Sequence, residues 1–195
     1  SNANAFVIIG DRQWLQPADL VGYSWNDFSA VCPAGSCNGS LGAGVGPDVS
    51  GWQWASVDQV GDLFAAISEY PGGRTEYYSS DVSVAFEVFR NAGFRVSTNF
   101  DLAVNFGISA VVGYSSTRAR ATNSAYLGFV QAGLFPGFSR GTTIDTTSTF
   151  EIDERSDVIG GWLYRVNTVP TVSTVWLLFA GLSVLFARAR TGRIS

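Results

Sequence analysis

Several residue types on which enzymes depend most are missing from this chain. Its 195 residues include no His, and all twelve basic residues are Arg. The commonest acid–base group is therefore absent, and the only two cysteines, Cys32 and Cys37, are expected to be oxidised to a disulfide and so not to act as nucleophiles. Catalysis by this sequence would have to use carboxylates.

The sixteen Asp and Glu residues offer two kinds of chemistry. A glycoside hydrolase needs two carboxyl groups that flank the scissile bond, but the spacing of the carboxylates singles out no pair. An acidic cluster before the last predicted strand could hold Ca²⁺ through oxygen ligands. That cluster lacks the Asp-x-Asp-x-Asp-Gly pattern, so we predict an exposed loop, with no catalytic residue, metal site or cofactor. The acidic cluster consists of Glu151, Asp153, Glu154 and Asp157.

A second calcium motif lies near the N-terminus. Trp25-Asn26-Asp27 matches the calcium-ligand triplet of sugar-binding C-type lectins, and Gln16-Pro17-Ala18-Asp19 is similar to their Gln-Pro-Asp. In those lectins the triplet lies on a late strand, whereas here it opens an early helix. We therefore expect Asn26 and Asp27 to be first-turn residues that suit a helix N-terminus.

Neighbouring aromatic residues are the candidates for ligand contacts, since their rings combine large apolar faces with polar groups. Trp52 and Trp54 lie two residues apart in a segment predicted to be extended. One ring would then belong to the core, and the other could form a sugar-stacking surface. Tyr77 and Tyr78 are candidates of the same kind. For all four we expect core packing, with a ligand contact as the alternative.

Cys32 and Cys37 flank the sequence Pro-Ala-Gly-Ser. In an exported protein so close a pair is most simply a local disulfide, which needs Cα atoms about 4.4–6.8 Å apart. Metal binding is the alternative, but the chain has no His and no second Cys pair to complete a tetrahedral site. We predict the disulfide.

Two helices with clear start signals are expected to position these residues. Ser24 is the predicted N-cap of a short helix that opens at Trp25. Ser56 and Gln59 form a capping box for a second helix that reaches about Glu69. Three residues at helical spacing form its apolar face. They are Val60, Phe64 and Ile67.

Strands are expected at both ends of the body. Trp14-Leu15 lies in an early strand, and a further helix is predicted between Ser80 and Gly93. From Phe106 onward the sequence is rich in Val, Ile, Thr and aromatic residues, which is typical of strands. The predicted strands are 108–114, 125–131, 148–152 and 159–166. The pattern predicts an α+β fold in which two or three short helices precede an antiparallel sheet.

The charge distribution divides the chain into an acidic body and a basic tail. All sixteen acidic residues and nine of the twelve arginines lie in residues 1–168, a net charge of −7, and the last eight residues carry +3. An acidic body argues against nucleic acid as a partner. Ser1-Asn2-Ala3 is typical of the remnant left by tag removal, so we expect one domain over residues 4–168.

Residues 169–195 have the composition of a membrane anchor. An uncharged apolar stretch precedes an arginine cluster, and the 19 residues from Val169 to Ala187 would span about 28 Å as a helix. This is close to the hydrocarbon thickness of about 30 Å. We predict a transmembrane helix over about 172–187 and a basic tail over 188–195. A buried C-terminal core helix is the alternative.

The same segment resembles the C-terminal sorting signal of the PEP-CTERM family of exported bacterial proteins. Val172 stands where that signal carries a second proline. The resemblance implies export through the inner membrane, recognition by an exosortase-type membrane protease, and a mature form in the periplasm, at the cell surface or in the extracellular matrix. The shared positions are Val169, Pro170, Trp176, Gly181, Arg188 and Arg190.

The body is similar to a Trp-rich domain common among PEP-CTERM proteins. The matches are Trp14-Leu15, Trp25-Asn26-Asp27, 51–56, 58–64, 113–116 and 160–165. That domain is similar in turn to the C-type-lectin-like layout. The resemblance implies a non-enzymatic envelope or matrix protein that associates with extracellular polysaccharide. The alternatives are a carboxylate-dependent envelope glycoside hydrolase and a purely structural biofilm protein.

Overall fold

The computed structural model of the protein describes residues 5–68, 70–79, 82–95, 98–101, 107–119, 123–133 and 141–167. Within these ranges the chain has the predicted α+β class, with helices α1 (Trp25–Val31), α2 (Val57–Ile67) and α3 (Val82–Asn91). The early strands are β1 (Phe6–Ile9), β2 (Arg12–Leu15), β3 (Gln53–Trp54), β4 (Glu76–Ser79) and β5 (Thr98–Asp101). The later strands are β6 (Gly107–Arg118), β7 (Ser124–Gly133), β8 (Gly141–Asp145), β9 (Thr149–Glu151), β10 (Gly160–Gly161) and β11 (Leu163–Val166).

The strands of the described residues form two sheets. The smaller one has the order β1-β2-β11-β3 and is antiparallel. The larger one has the order β10-β6-β7-β8-β4, with β5 paired to β6 and β9 paired to β7. Here β10 runs parallel to β6, while the other pairs are antiparallel. The early strand predicted at Trp14-Leu15 is present as β2. The predicted antiparallel sheet differs from the structure in two respects, since the described strands form two sheets and one pair is parallel.

The strand predicted over 159–166 is divided between the two sheets. β10 belongs to the larger sheet and β11 to the smaller one, and Trp162 lies between them. Trp162 is fully buried, and its indole N–H donates to the Gly128 carbonyl at 2.8 Å. A Cβ on Gly160 would lie 1.9 Å from the carbonyl oxygen of Pro17, so only glycine fits where the chain crosses between the sheets.

The two predicted N-caps are confirmed. The Ser24 hydroxyl accepts from the Asp27 N–H, and the Ser56 hydroxyl accepts from the Gln59 N–H, each as half of a capping box. Helix α2 ends at Ile67 rather than near residue 69. The reason is local: Ser68 adopts an extended conformation, and its hydroxyl donates to the Phe64 carbonyl at 2.8 Å.

Helix α2 packs through its predicted apolar face. Val60 and Phe64 are fully buried, and Ile67 is partly buried. The Phe64 ring makes edge-to-face contacts with three aromatic rings, at centroid distances of 5.9, 5.3 and 5.4 Å. These rings belong to Tyr70, Phe89 and Trp162. This cluster attaches α2 and α3 to the larger sheet.

The C-terminal predictions concern residues beyond these elements. Residues 169–195, with the predicted transmembrane helix and sorting signal, lie outside the described residues. Among the residues that are described, no helix has the length and apolar character needed to cross a membrane.

Candidate functional site

A cleft of about 630 Å³ lies beside β3 and α1. It is formed where the N-terminus of α2, the C-terminal end of β6 and β11 approach the turn that carries the two cysteines. Its aromatic side chains are Trp25, Trp54 and Tyr164. Its polar side chains are Ser29, Ser36, Gln53, Ser56, Gln59 and Ser116. Cys32, Ala34 and Gly35 complete the lining, so no charged side chain is found among the described residues that line the cleft.

Two tryptophans form the aromatic wall of the cleft. The ring centroids of Trp25 and Trp54 are 5.2 Å apart, with an angle of 48° between the planes. The indole N–H of Trp25 donates to the Ser115 carbonyl at 3.0 Å, and that of Trp54 donates to the Tyr114 carbonyl at 3.1 Å. Both rings are therefore fixed by the backbone of β6. Trp54 is buried, while Trp25 is partly exposed and offers ring surface to a ligand.

Gln59 and Tyr164 form a directed hydrogen-bond chain in the cleft wall. The Ser56 backbone N–H, which can only donate, bonds to Gln59 Oε1 at 2.8 Å. The other end of the amide, Nε2, is therefore the donor to the Tyr164 hydroxyl, also at 2.8 Å. The Tyr164 oxygen acts as an acceptor in this bond, so its own proton is left for a different acceptor.

That proton has no partner within the described part of the chain, where the Tyr164 hydroxyl forms no second hydrogen bond. Tyr164 is only 6 % exposed. A buried donor without an acceptor is costly, and this one lies at the wall of an open cleft. Four further side chains of the lining also form no hydrogen bond to described residues. They are Ser29, Ser36, Gln53 and Ser116.

The turn with the two cysteines forms one rim of the cleft. The Sγ atoms of Cys32 and Cys37 lie at disulfide distance, 2.07 Å, and their Cα atoms are 3.8 Å apart, closer than the range expected from the sequence. The chain closes this tightly because Ala34 and Gly35 both have positive φ, 54° and 86°. A left-handed conformation is unfavourable for alanine and is concentrated at functional sites.

The aromatic candidates from the sequence are only partly placed in the cleft. Trp54 lines it, whereas the ring of Trp52 is covered by the guanidinium of Arg165 at 4.7 Å. Both tryptophans are buried, 8 % and 4 % exposed, as core packing predicts, and neither ring forms the surface platform that was the alternative. Residues two apart in an extended segment project to the same side, which favours a common environment. Tyr77 packs against the hydrophobic cluster that contains Phe64 and is not among the residues that line the cleft. The side chain of Tyr78 lies outside the described set.

The calcium-like triplet has a structural role. Asp27 accepts from the backbone N–H and hydroxyl of Ser24, and both of its oxygens accept from Arg155 at 3.0–3.1 Å. Burial alone would raise the pKa of Asp27, but the bonds from Ser24 and Arg155 outweigh it and hold that pKa below its usual value. Both Asn26 and Asp27 lie in the first turn of α1, as predicted.

The acidic cluster is exposed, as predicted for a loop. It is tied to the body by Tyr114, whose hydroxyl lies 3.2 Å from the carbonyl oxygens of Glu151 and Glu154. Burial, together with the carboxylates of Glu154 and Asp153, raises the pKa of Tyr114. Among the described residues, no group of His, Cys, Asp or Glu side chains has the arrangement of a metal site.

Several residues of the cleft were not singled out as ligand contacts by their sequence. The sequence predicts only a helix-capping role for Gln59, and for Tyr164 only a place in a strand. A signal existed for Gln59, since a capping-box glutamine uses one end of its amide and leaves the other free. Nothing local in the sequence places Tyr164 or Ser116 beside it, because those contacts join distant segments.

Comparison of the sequence with protein-family models finds no match, and comparisons with curated proteins and with solved structures find no significant one. The resemblance to PEP-CTERM proteins therefore stays a prediction. The function has to be argued from the geometry and chemistry of the cleft.

Proposed function

We propose that this protein is a non-enzymatic, exported glycan-binding domain that is held at the cell envelope through residues 169–195. The observation that supports this most is the composition of the cleft. Its twelve lining residues include three aromatic and six neutral polar side chains, and no Asp, Glu or Arg.

This composition suits a sugar. Each sugar hydroxyl both donates and accepts hydrogen bonds, and so do serine hydroxyls and glutamine amides. The apolar C–H face of a sugar ring can stack on an aromatic ring, and the partly exposed Trp25 supplies one. A volume of about 630 Å³ falls within the 300–1,000 Å³ that is typical of small-molecule sites.

The same composition argues against the glycoside hydrolase. Hydrolysis needs two carboxyl groups about 5–9.5 Å apart across the scissile bond. Within the described ranges, no carboxylate lines the cleft. Asp27 lies on the neighbouring helix α1, but its oxygens are engaged by Ser24 and Arg155. These observations favour binding without turnover.

The envelope location and the C-type-lectin-like layout belong to this proposal as well. The location is supported by the match of residues 169–195 to a sorting signal. Replacing Leu178 and Leu182 by Arg should abolish membrane retention, at about 2.5–3.5 kcal/mol for each charge near the bilayer centre, and leave the body folded. Unfolding of the body in that double variant would favour the core-helix alternative.

Glycan binding is tested with a glycan array and the full chain, in a polyoxyethylene detergent that carries no sugar headgroup. We expect binding that Trp25→Ala reduces at least tenfold. Phe6→Ala is the matched control, since Phe6 is a partly exposed aromatic residue on β1 and lies outside the cleft lining. No binding to any glycan would contradict the proposal and favour the purely structural role, whereas release of shorter products would favour the hydrolase.

A further inference from the structure

The described lining of the cleft carries no charged side chain, although the body of the protein has a net negative charge. The body carries a net charge of −7 over residues 1–168, yet none of the twelve lining residues is Asp, Glu or Arg. The closest arginine with a described contact to the lining is Arg12, whose guanidinium lies over the Tyr164 ring at 4.6 Å. Arg12 itself does not line the cleft. Among the described residues that line the cleft, a ligand carboxylate or sulfate would therefore find no cation to replace its hydration, which makes its burial unfavourable.

The hydrogen-bond directions add a second requirement. Ser56 fixes the orientation of the Gln59 amide, and the amide fixes the Tyr164 oxygen as an acceptor. The Tyr164 proton is left available at the wall of the cleft. A ligand that fits this site presents an oxygen atom that accepts from the phenol.

We propose that the cleft is selective for uncharged glycans and that the Tyr164 hydroxyl donates to a hydroxyl or ether oxygen of the sugar. This inference rests on the proposed glycan binding and adds the ligand class and the residue that recognises it. A uronic-acid or sulfated glycan is disfavoured because the described lining offers it no cation and the body is acidic.

The charge requirement is tested with pairs of oligosaccharides that differ only at C6. The probes are the hexasaccharides of β-1,4-glucan, β-1,3-glucan and β-1,4-mannan, each compared with its C6-oxidised, carboxylated form by isothermal titration of the full chain. We expect at least one neutral probe to bind and its oxidised form to bind at least tenfold more weakly. Equal or tighter binding of an oxidised form would overturn the inference and leave glycan binding intact. Failure of all six probes would overturn both.

The donor role is tested with two variants that act on the same proton. Tyr164→Phe removes the hydroxyl and keeps the ring, and it should weaken binding of the neutral probe three- to tenfold. Gln59→Glu keeps an acceptor for the Ser56 N–H but replaces the amide N–H by oxygen. The Tyr164 hydroxyl should then donate to the carboxylate of residue 59 and no longer to the ligand. This variant should therefore also lose binding, while its helix cap persists.

The double variant separates this role from a merely structural one. If both changes remove one hydrogen bond to the ligand, Tyr164→Phe combined with Gln59→Glu should bind no more weakly than the weaker single variant. Tyr77→Phe, a matched change outside the cleft, should bind as the unmodified protein does. Unchanged affinity in Tyr164→Phe, with the fold intact by circular dichroism, would overturn the donor assignment.

Discussion

Phe64→Ala is the substitution for which the structure allows the most complete estimate of stability. Phe64 is fully buried and makes edge-to-face contacts with Tyr70, Phe89 and Trp162. Truncating a buried Phe to Ala costs about 3–5 kcal/mol, because apolar contacts are lost and a cavity remains. Three aromatic partners, each contributing about 0.5–1.5 kcal/mol beyond burial, place this site in the upper half of that range. We expect a loss of about 4–5 kcal/mol.

Equilibrium unfolding in urea, followed by tryptophan fluorescence, measures this loss. With an m value of about 2 kcal/mol/M for a domain of this size, the midpoint should fall by about 2 M. Phe64→Leu, which keeps most of the apolar volume, should lower the midpoint by less than half as much. Val45→Ala, at a side chain that is 91 % exposed, should change the free energy of unfolding by less than about 0.5 kcal/mol. A shift below about 0.5 M for Phe64→Ala would refute the assignment of Phe64 to the centre of the core.

Three further predictions concern single contacts. Ser56→Ala should lower the free energy of unfolding by about 1 kcal/mol through the lost N-cap, and Ser56→Asp, which can accept the same bond, should restore most of it in the same urea assay. Asp27→Asn should cost about 1 kcal/mol at pH 7. Because the folded protein lowers the pKa of Asp27, this contribution is present above the unfolded pKa of about 3.9 and disappears as the pH falls through the folded value. The difference between the two proteins should therefore shrink below about pH 4, and a constant difference would contradict the assignment. Peptide mapping without reductant should recover Cys32 and Cys37 linked, and two maleimide-reactive thiols in the unfolded, unreduced chain would disprove the disulfide.

The features that the sequence predicts best are those that depend on neighbouring residues. A capping box requires only residues three apart, so Ser24 and Ser56 identify the starts of α1 and α2 correctly. Helical spacing likewise places Phe64 in the core. The predicted end of α2 is less accurate, because an extended Ser68 competes with continued helix, and neither conformation has a decisive local signal.

The cleft depends on contacts between distant parts of the chain. Gln59 and Tyr164 are 105 residues apart, and the Trp54 ring is held by the Tyr114 carbonyl 60 residues later. Composition indicates that aromatic side chains are available for a site, but only the pairing of β3 with β11 shows which of them share one. The division of 159–166 between two sheets is equally non-local, since it depends on how Trp162 packs against Gly128.

The position of β11 has a consequence for the order in which the protein can fold. β11 lies between β2 and β3, and β10 joins β6, so the last described strands connect strands from the first third of the chain with the larger sheet. During synthesis from the N-terminus, β2 and β3 are made long before the strand that separates them. Neither sheet can therefore be completed until residues 160–166 have been made. The cleft, which needs Tyr164, is then among the last parts of the protein to form, and a chain that stops before β10 would have neither a closed core nor a binding site.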